Sequence, residues 1–406
     1  MTTVAAEPAM SARRTTILGA ALVAIGPITM SLYTPAMPEL AVDFGTSDAL
    51  VKLTLTTYFA GFALTQLICG PLSDAYGRKP VAIVFLVLYL ASTVLATLAP
   101  DITWMLIARA LQGVGAAVGI AVSRAIVRDQ YTGQHSARIM NTIGTMLALG
   151  PAISPTIGGI ILELFGWREI FICMLLYGTA LLASVVLFQP ETNAFKNVSN
   201  IHPERLAINY MTLLSDRKFM APSVLLGLCL GNIYTMATVL PFVMIHDVGL
   251  TPAQFGVGMM LQSLSFIAGT LVTGRLLKYF DAEKLVPIGM VGMLAGAALM
   301  ATLLRLYEPT YLIVMGPVGF FAFSVAFILP ATFTSAMRDF PHIAGASSSM
   351  MGFMQFGGGI LGSLLIASLG NPLFGMSTII PAMPFLGVIL YFLLRLKTKE
   401  VRAAAE

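Results

Sequence analysis

Nine stretches of this chain run for twenty or more residues without one Asp, Glu, Lys or Arg: 15–38, 53–73, 80–100, 139–162, 170–190, 219–246, 248–274, 285–304 and 309–337. A helix needs about 20 apolar residues to cross the hydrocarbon core of a bilayer. A tenth run, 340–394, has 55 residues, too many for one crossing. Asn371-Pro372 divides it, because proline removes a backbone donor and restricts the residue before it. One more apolar stretch, about 102–127, is interrupted only by Arg109 and Arg124. The sum predicts an all-α membrane protein with twelve transmembrane helices. Transmembrane β-strands are excluded, since they alternate in character over about ten residues and these stretches do not.

Charge is sparse and one-sided. Only 10% of residues are charged against 57% hydrophobic, far from the quarter charged that soluble domains carry. Disorder needs the opposite composition. With the first residue inside, 19 of the 23 basic residues fall on the cytoplasmic side and three (Lys52, Arg168, Arg305) outside, with Arg109 in the membrane. This bias places both termini in the cytoplasm. The leading MTTVAAEPAMSARR is polar and shows no cleavage site, so the first span is read as retained. The formal charge of +4 forms no basic block, so nucleic acid is not an expected partner. Cys69, Cys173 and Cys229 are isolated within apolar runs and lack metal-ligand spacing. No metal and no cofactor are expected.

The longest polar connector, 189–218, follows six spans. It divides the chain into a first bundle (1–188), a cytoplasmic linker (189–218) and a second bundle (219–406). Arg13-Arg14 and Arg217-Lys218 precede spans 1 and 7 at an offset of 204, and Gly70 and Gly274 close spans 2 and 8 at the same offset. Two pseudo-symmetric halves imply a rocking transporter with its site between them near the midplane.

Three motifs carry more specific information. The loop after span 2 reads Gly70-Pro71-Leu72-Ser73-Asp74-Ala75-Tyr76-Gly77-Arg78-Lys79. Here Gly70 is expected to allow close helix contact, Gly77 to turn the chain, and Asp74 to cap a helix or pair with an arginine. Span 4 holds Arg109-Ala110-Leu111-Gln112-Gly113-Val114-Gly115-Ala116-Ala117, with Arg109, Gln112, Gly113 and Ala116 on one face. A charge near mid-bilayer costs at least about 2.5 kcal/mol, so Arg109 must face protein or water. Its role is either substrate or proton handling or plain pairing with a helix end. Span 5 holds Gly144, Gly150-Pro151 and Ser154-Pro155-Thr156-Ile157-Gly158-Gly159, a composition for a kinked, closely packed helix.

These motifs resemble, in turn, the G-x-L-x-D-x-x-G-R-K/R loop, the R-x-x-Q-G-x-G-A-A segment and the antiporter signature G-P-x-x-G-G of the major facilitator superfamily, with Ser154 standing where the last pattern has glycine. The resemblance implies the twelve-helix fold of that family. It implies a conformational latch at Gly70, Asp74, Gly77, Arg78 and Arg128. It also implies a sealing helix around Gly150, Pro151, Pro155, Gly158 and Gly159. Tyr33-Thr34-Pro35-Ala36-Met37-Pro38, Leu53-Thr54-Leu55-Thr56-Thr57-Tyr58, Arg124-Ala125-Ile126-Val127-Arg128-Asp129, Gly166-Trp167-Arg168 and Gly352-Phe353-Met354-Gln355 are similar to the Bcr/CflA group of bicyclomycin and chloramphenicol exporters. That group has an acid where this chain has Ser31 and an amide where it has Lys52. No carboxylate lies mid-membrane in either half, so the usual proton carrier is missing.

The expected activity is efflux of an amphipathic small molecule or drug coupled to proton antiport, by a monomer in the bacterial inner membrane. The alternative is a facilitator or proton-linked carrier of an anionic metabolite drawn by Arg109 and Lys52. Arg109, Gln112, Ser31, Tyr33, Lys52 and Tyr58 are the candidates for substrate or proton handling. An apolar wall is sought among Met30, Met146, Phe242, Met244, Phe327, Met354 and Phe356. His135, His202, His246 and His342 lie in loops or at span ends without an acid–base cluster, so catalysis is not expected.

Overall fold

The computed structural model describes residues 9–194, 196 and 201–403, with the side chains of 137, 146–148 and 397–403 left aside. The leading residues 1–8, the extreme C-terminus and the side chain of Met146 therefore lie outside the described residues. Among the described residues eleven helices are long and apolar enough to cross a membrane, and a bent pair makes a twelfth crossing. Spans 1 to 6 are Ala12–Asp43, Asp48–Tyr76, Arg78–Thr97, Ile102–Gln130, Gly133–Phe165 and Trp167–Phe188. Spans 7 to 9 are Arg217–Asp247, Pro252–Leu276 and Ala282–Leu306. Span 10 is Tyr311–Val325 followed by Leu329–Arg338, bent by 41°. Spans 11 and 12 are Pro341–Leu369 and Pro372–Leu396. No strand occurs among the described residues.

Local chemistry sets the ends. The Asp101 carboxylate accepts from the amides of Thr103 (2.8 Å) and Trp104 (3.1 Å) at the start of span 4. Thr251 and Gln254 form a reciprocal capping box at the start of span 8. Gly370, at φ 72°, stops span 11 just before Asn371-Pro372, and so divides the 55-residue run.

Two departures from the sequence reading stand out. The stretch 309–337, expected as one continuous crossing, breaks at residues 326–328. The connector 189–218, expected as a polar loop, contains the helix Pro203–Ser215. Leu206, Tyr210 and Leu213 recur at helical spacing on it, and the Tyr210 hydroxyl donates to the Leu67 carbonyl at 2.5 Å. Burial pushes the Tyr210 phenol up to about 12, so it remains a donor at neutral pH.

Apolar side chains gather in two main cores, one drawn from spans 1–6 with Phe242 and Phe356 reaching in, the other from spans 7–12. Small residues let helices touch backbone to backbone. A Cβ on Gly61 would strike the Ala110 carbonyl, and one on Gly113 the Tyr58 carbonyl, so spans 2 and 4 cross there. Gly227, Gly231 and Gly358 do the same for spans 7 and 11. Gly70 behaves differently from expectation. Its nearest neighbour is the Ser349 hydroxyl, 3.9 Å from an added Cβ, because the helix beside it stands off at that level. Spans 2 and 11, and spans 5 and 8, form the main seams between the two sets of six. Outside, Leu, Ile, Val and Phe are widely exposed, a surface that requires lipid.

Candidate functional site

One cavity of about 320 Å³ lies between the two sets of six helices. Its lining comes from the middle of spans 1, 2, 7, 8 and 11 and from the inner halves of spans 4, 5 and 10, where residues 70–80, 124–138 and 338–345 cluster. That end is called the basic end below, and the opposite one the far end. The wall is aromatic and apolar at Met30, Tyr58, Phe62, Tyr234, Phe266 and Phe356, with amides at Gln66, Gln262 and Gln355. Phe62, Tyr234 and Phe356 pack as a group. The Tyr234 and Phe356 rings stack with centroids 4.5 Å apart and planes at 7°, and Phe62 lies 4.5 Å from Phe356. Gly352 leaves the room that the Gln66 carbonyl oxygen occupies. Arg124 is the charged residue on this wall, and its Nη1 donates to the Ser348 hydroxyl at 3.1 Å.

Of the six residues singled out for substrate or proton handling, Tyr58 reaches the cavity. Its hydroxyl donates to the Gly26 carbonyl at 2.9 Å. Arg109 does not face the cavity, contrary to expectation, and is fully buried behind Tyr58. Its guanidinium stands 4.3 Å from the Tyr33 ring and 4.5 Å from the Tyr58 ring and donates to the Gln112 carbonyl oxygen. Gln112 passes a bond on to Thr93 at 2.8 Å, and Tyr33 shares one with Thr54 at 2.6 Å. Among the described residues no group accepts from Arg109 Nε or Nη2. The aromatic faces therefore supply much of what a carboxylate would supply elsewhere. Ser31 is buried off the wall.

Lys52 is also buried, at the far end, with Nζ 4.6 Å from the centre of the Phe242 ring across the seam. Asp48, four residues earlier, forms no direct ion pair with it among the described residues. Asp48 Oδ2 instead lies 3.8 Å from His246 Nδ1. Among the apolar candidates, Met30 and Phe356 line the cavity, whereas Phe242 and Met244 are core and Met354 and Phe327 stay off the wall.

The motif residues build the two ends. Arg78 donates to Asp74, to Asp129 Oδ2 at 2.8 Å and to the Ser73 hydroxyl at 2.7 Å, while Arg128 lies 3.8 Å from Asp74. Gly77 sits at φ 109°, a region that favours glycine. Its conformation lets Glu191 accept from the amides of Arg78 (2.9 Å) and Lys79 (3.3 Å) at the start of span 3. Sequence reasoning missed Glu191, although an acid one turn beyond span 6 on a basic side was a usable signal. In span 5, Gly150 packs against Pro27 and Ile28, and Pro151 lines the cavity. A Cβ on Gly158 would strike the Leu32 carbonyl, and one on Gly159 the Pro252 carbonyl. The Pro155 carbonyl in turn fills the space above Gly256.

Gln66, Gln262, Gln355 and Arg124 are among the cavity residues not foreseen, as are the aromatic Phe62, Tyr234 and Phe266. An uncompensated amide in an apolar run is costly in lipid, which was the available clue for the three glutamines. Arg124 was assigned to the cytoplasmic edge of span 4 because the basic bias absorbed it.

Residues 19–363 match the family described as Major Facilitator Superfamily. The chain is 30% identical over 361 residues, 88% of its length and 87% of the relative's, to the uncharacterized MFS-type transporter YdgK of Bacillus subtilis (strain 168). It is 26% identical over 377 residues, 93% of its length and 94% of the relative's, to the bicyclomycin resistance protein homolog of Haemophilus influenzae. In structure it resembles a bacterial homolog of the human lysosomal transporter Spinster in an inward-facing, occupied conformation, with TM-score 0.73 and 16% identity over 94% of this chain and 96% of that one.

Proposed function

The chain belongs to the Major Facilitator Superfamily, and on that premise we infer that it exports an amphipathic, drug-like small molecule across the bacterial inner membrane by alternating access. The basic end faces the cytoplasm, as the charge bias directs. The carrying observation is the cavity: aromatic rings beside three amides give an adaptable apolar wall with a few orienting hydrogen bonds. Its extent toward the basic end is what an exporter needs to load from inside. The two halves, 1–188 and 219–406, rock about the seams of spans 2 and 11 and of spans 5 and 8. Similarity to a bicyclomycin resistance protein homolog supports the drug-like class.

Proton antiport is the proposed drive. The cavity wall carries no carboxylate among its lining residues, so the proton does not ride on a midplane acid. Asp74 and Asp129 are held by Arg78, and Glu163 accepts from the Ala253 amide at 2.9 Å. Asp48, beside His246, and Asp247 are the acids nearest Lys52 at the far-end seam, and this group is the proposed entry for the proton. The second reading, a carrier of an anionic metabolite, is favoured by one observation, the positive charge of Arg124 on the wall.

Proteoliposomes with an imposed pH gradient provide the test. Bicyclomycin and a panel of cationic, neutral and anionic amphipaths are followed for gradient-driven flux. Accumulation of an amphipath against its gradient supports the proposal, and collapse of that flux on adding a protonophore supports proton drive. Absence of flux for every compound overturns it.

A further inference from the structure

We propose that Arg124, with Ser348 facing it from the other half, anchors the anionic head of the substrate, so that the transported molecule is an amphipathic organic anion. This rests on the export reading and narrows it to one charge class. Four cations of the first half differ in circumstance, three of them buried and Arg124 exposed to the cavity. Arg78 is matched by Asp74 and Asp129, and Arg109 is sealed behind Tyr33 and Tyr58. Lys52 is shut against Phe242 at the far end. Arg124 opens onto the cavity, and no carboxylate pairs with it among the described residues.

The Arg124 guanidinium is exposed in the cavity, so water solvates the donors that protein leaves unpaired, and an anionic head can replace that water. Ser348 supplies one acceptor, at 3.1 Å, and is the hydrogen-bond partner of Arg124 among the described residues. A carboxylate, sulfonate or phosphate monoester would take a bidentate place on the same fork. An organic cation would meet one positive charge and no negative one on this wall.

The spacing gives the rest of the molecule. Ser348 and Phe356 lie eight residues apart on span 11, about 12 Å along a helix. Phe356 stacks on Tyr234 and touches Phe62, so an apolar or aromatic body sits there while its acidic head reaches Arg124. Gln355 and Gln66, between these points, orient polar groups of the linker. Because Arg124 belongs to one half and Ser348 to the other, an anion held by both also bridges the seam at the basic end.

The test uses three compounds that differ in the head alone: 6-phenylhexanoate, 6-phenylhexanamide and 6-phenylhexylamine. Binding to the full-length purified transporter is measured by calorimetry, and flux is measured in proteoliposomes beside bicyclomycin. Wild type is expected to bind the carboxylate about tenfold tighter than the amine, as one charge-assisted contact allows. Arg124→Gln should erase that preference, Arg124→Lys should restore part of it, and Ser348→Ala should weaken carboxylate binding about threefold. If Arg124→Gln does not fold, the wild-type ranking and Ser348→Ala decide. Equal binding of carboxylate and amine by wild type, binding of none of the three, or a preference that survives Arg124→Gln overturns the proposal. Bicyclomycin flux without charge preference would defeat this proposal and leave the export reading standing. Carboxylate binding without flux of any compound would do the reverse.

Discussion

The two ends of the bundle are joined by different chemistry. At the far end spans 5 and 8 meet backbone to backbone, with Lys52 on Phe242, Asp48 beside His246 and Glu163 on the Ala253 amide also crossing between the halves. Gly159 lies under the Pro252 carbonyl and Gly256 under that of Pro155, and the Thr156 hydroxyl donates to the Gly256 carbonyl at 3.0 Å. At the basic end the strong contacts are charges, and none of these ion pairs joins the two halves. Arg78 pairs with Asp74 and Asp129 in the first, where Glu191 of the connector sits on the start of span 3, and Lys218 pairs with Asp339 and Arg338 with Glu283 in the second. Contacts between halves there are lighter, such as Arg124 to Ser348 and the connector's Tyr210 to Leu67. The difference teaches how one chain holds two states. A seam of small residues closes without stranding a charge when it opens. A charged network confined to one half holds spans 2, 3 and 4 rigid in both states, so that the half moves as a body.

The largest expected effect comes from breaking the far-end seam. Gly159→Leu puts a side chain where the Pro252 carbonyl stands, and backbone cannot yield as a flexible side chain can. Overpacking of this kind costs about 1–3 kcal/mol, which shifts a two-state equilibrium roughly five- to 150-fold away from the closed far end. Transport should fall accordingly. A cysteine at Phe242, with Cys69, Cys173 and Cys229 replaced by serine, should become more reactive to a membrane-impermeant thiol reagent applied from the far side. Unchanged transport and unchanged labelling would show that the seam does not control access.

Smaller effects are expected at the basic end. Arg78→Ala leaves Asp74 and Asp129 without their common partner in a half-buried place, a loss of about 1–3 kcal/mol read as a lower melting temperature of the purified protein. Asp74→Asn is milder, since Arg78 keeps Asp129 and Asp74 is a third exposed. It should slow turnover while substrate affinity stays roughly intact, because the network lies outside the cavity. A substrate-dependent affinity change at normal turnover would mean that the basic end takes part in recognition.

Much of the fold was legible because the bilayer imposes a simple rule on length and charge. The Asn371-Pro372 break obeys local chemistry and was read from residues alone. The bend in span 10 was legible too and was missed: Pro330 has no N–H to offer the Ala326 carbonyl four residues back, where the helix breaks. The site was less legible. Arg109 and Lys52 were conspicuous as charges in apolar runs, yet what decides their role is which aromatic ring covers them, and that depends on helices distant in sequence. Tyr58, Phe62 and Gln66 recur at four-residue spacing, so they share a face, but which side of span 2 meets the opposite half is a tertiary matter. Arg124 was hidden by the very rule that located the spans, since a basic residue near the cytoplasmic edge needs no other reason.

The smallest expected effect sharpens the comparison by putting charge back at the far end. His246 and Asp48 lie 3.8 Å apart across the seam, both partly exposed, and Lys52 sits one turn below against Phe242. Asp247, next to His246, and Asp48 are the carboxylates whose fields reach Lys52. The contact of His246 with Asp48 crosses the seam, so it is present when the far end is closed and lost when that end opens. An exposed pair of this kind contributes about 0.2–1 kcal/mol, which bounds the change in apparent rate at roughly fivefold. His246→Gln should change the transport rate within that bound by removing the contact with Asp48, and Lys52→Gln should change it by removing the neighbouring positive charge. Ser31→Asp returns the acid that the Bcr/CflA group carries near this end, and should alter the dependence of transport on external pH or widen acceptance of cationic compounds. The measurement is flux against external pH for wild type and the three variants at one internal pH. Four superimposable profiles would mean that the far end is closed by packing alone and that the proton enters elsewhere.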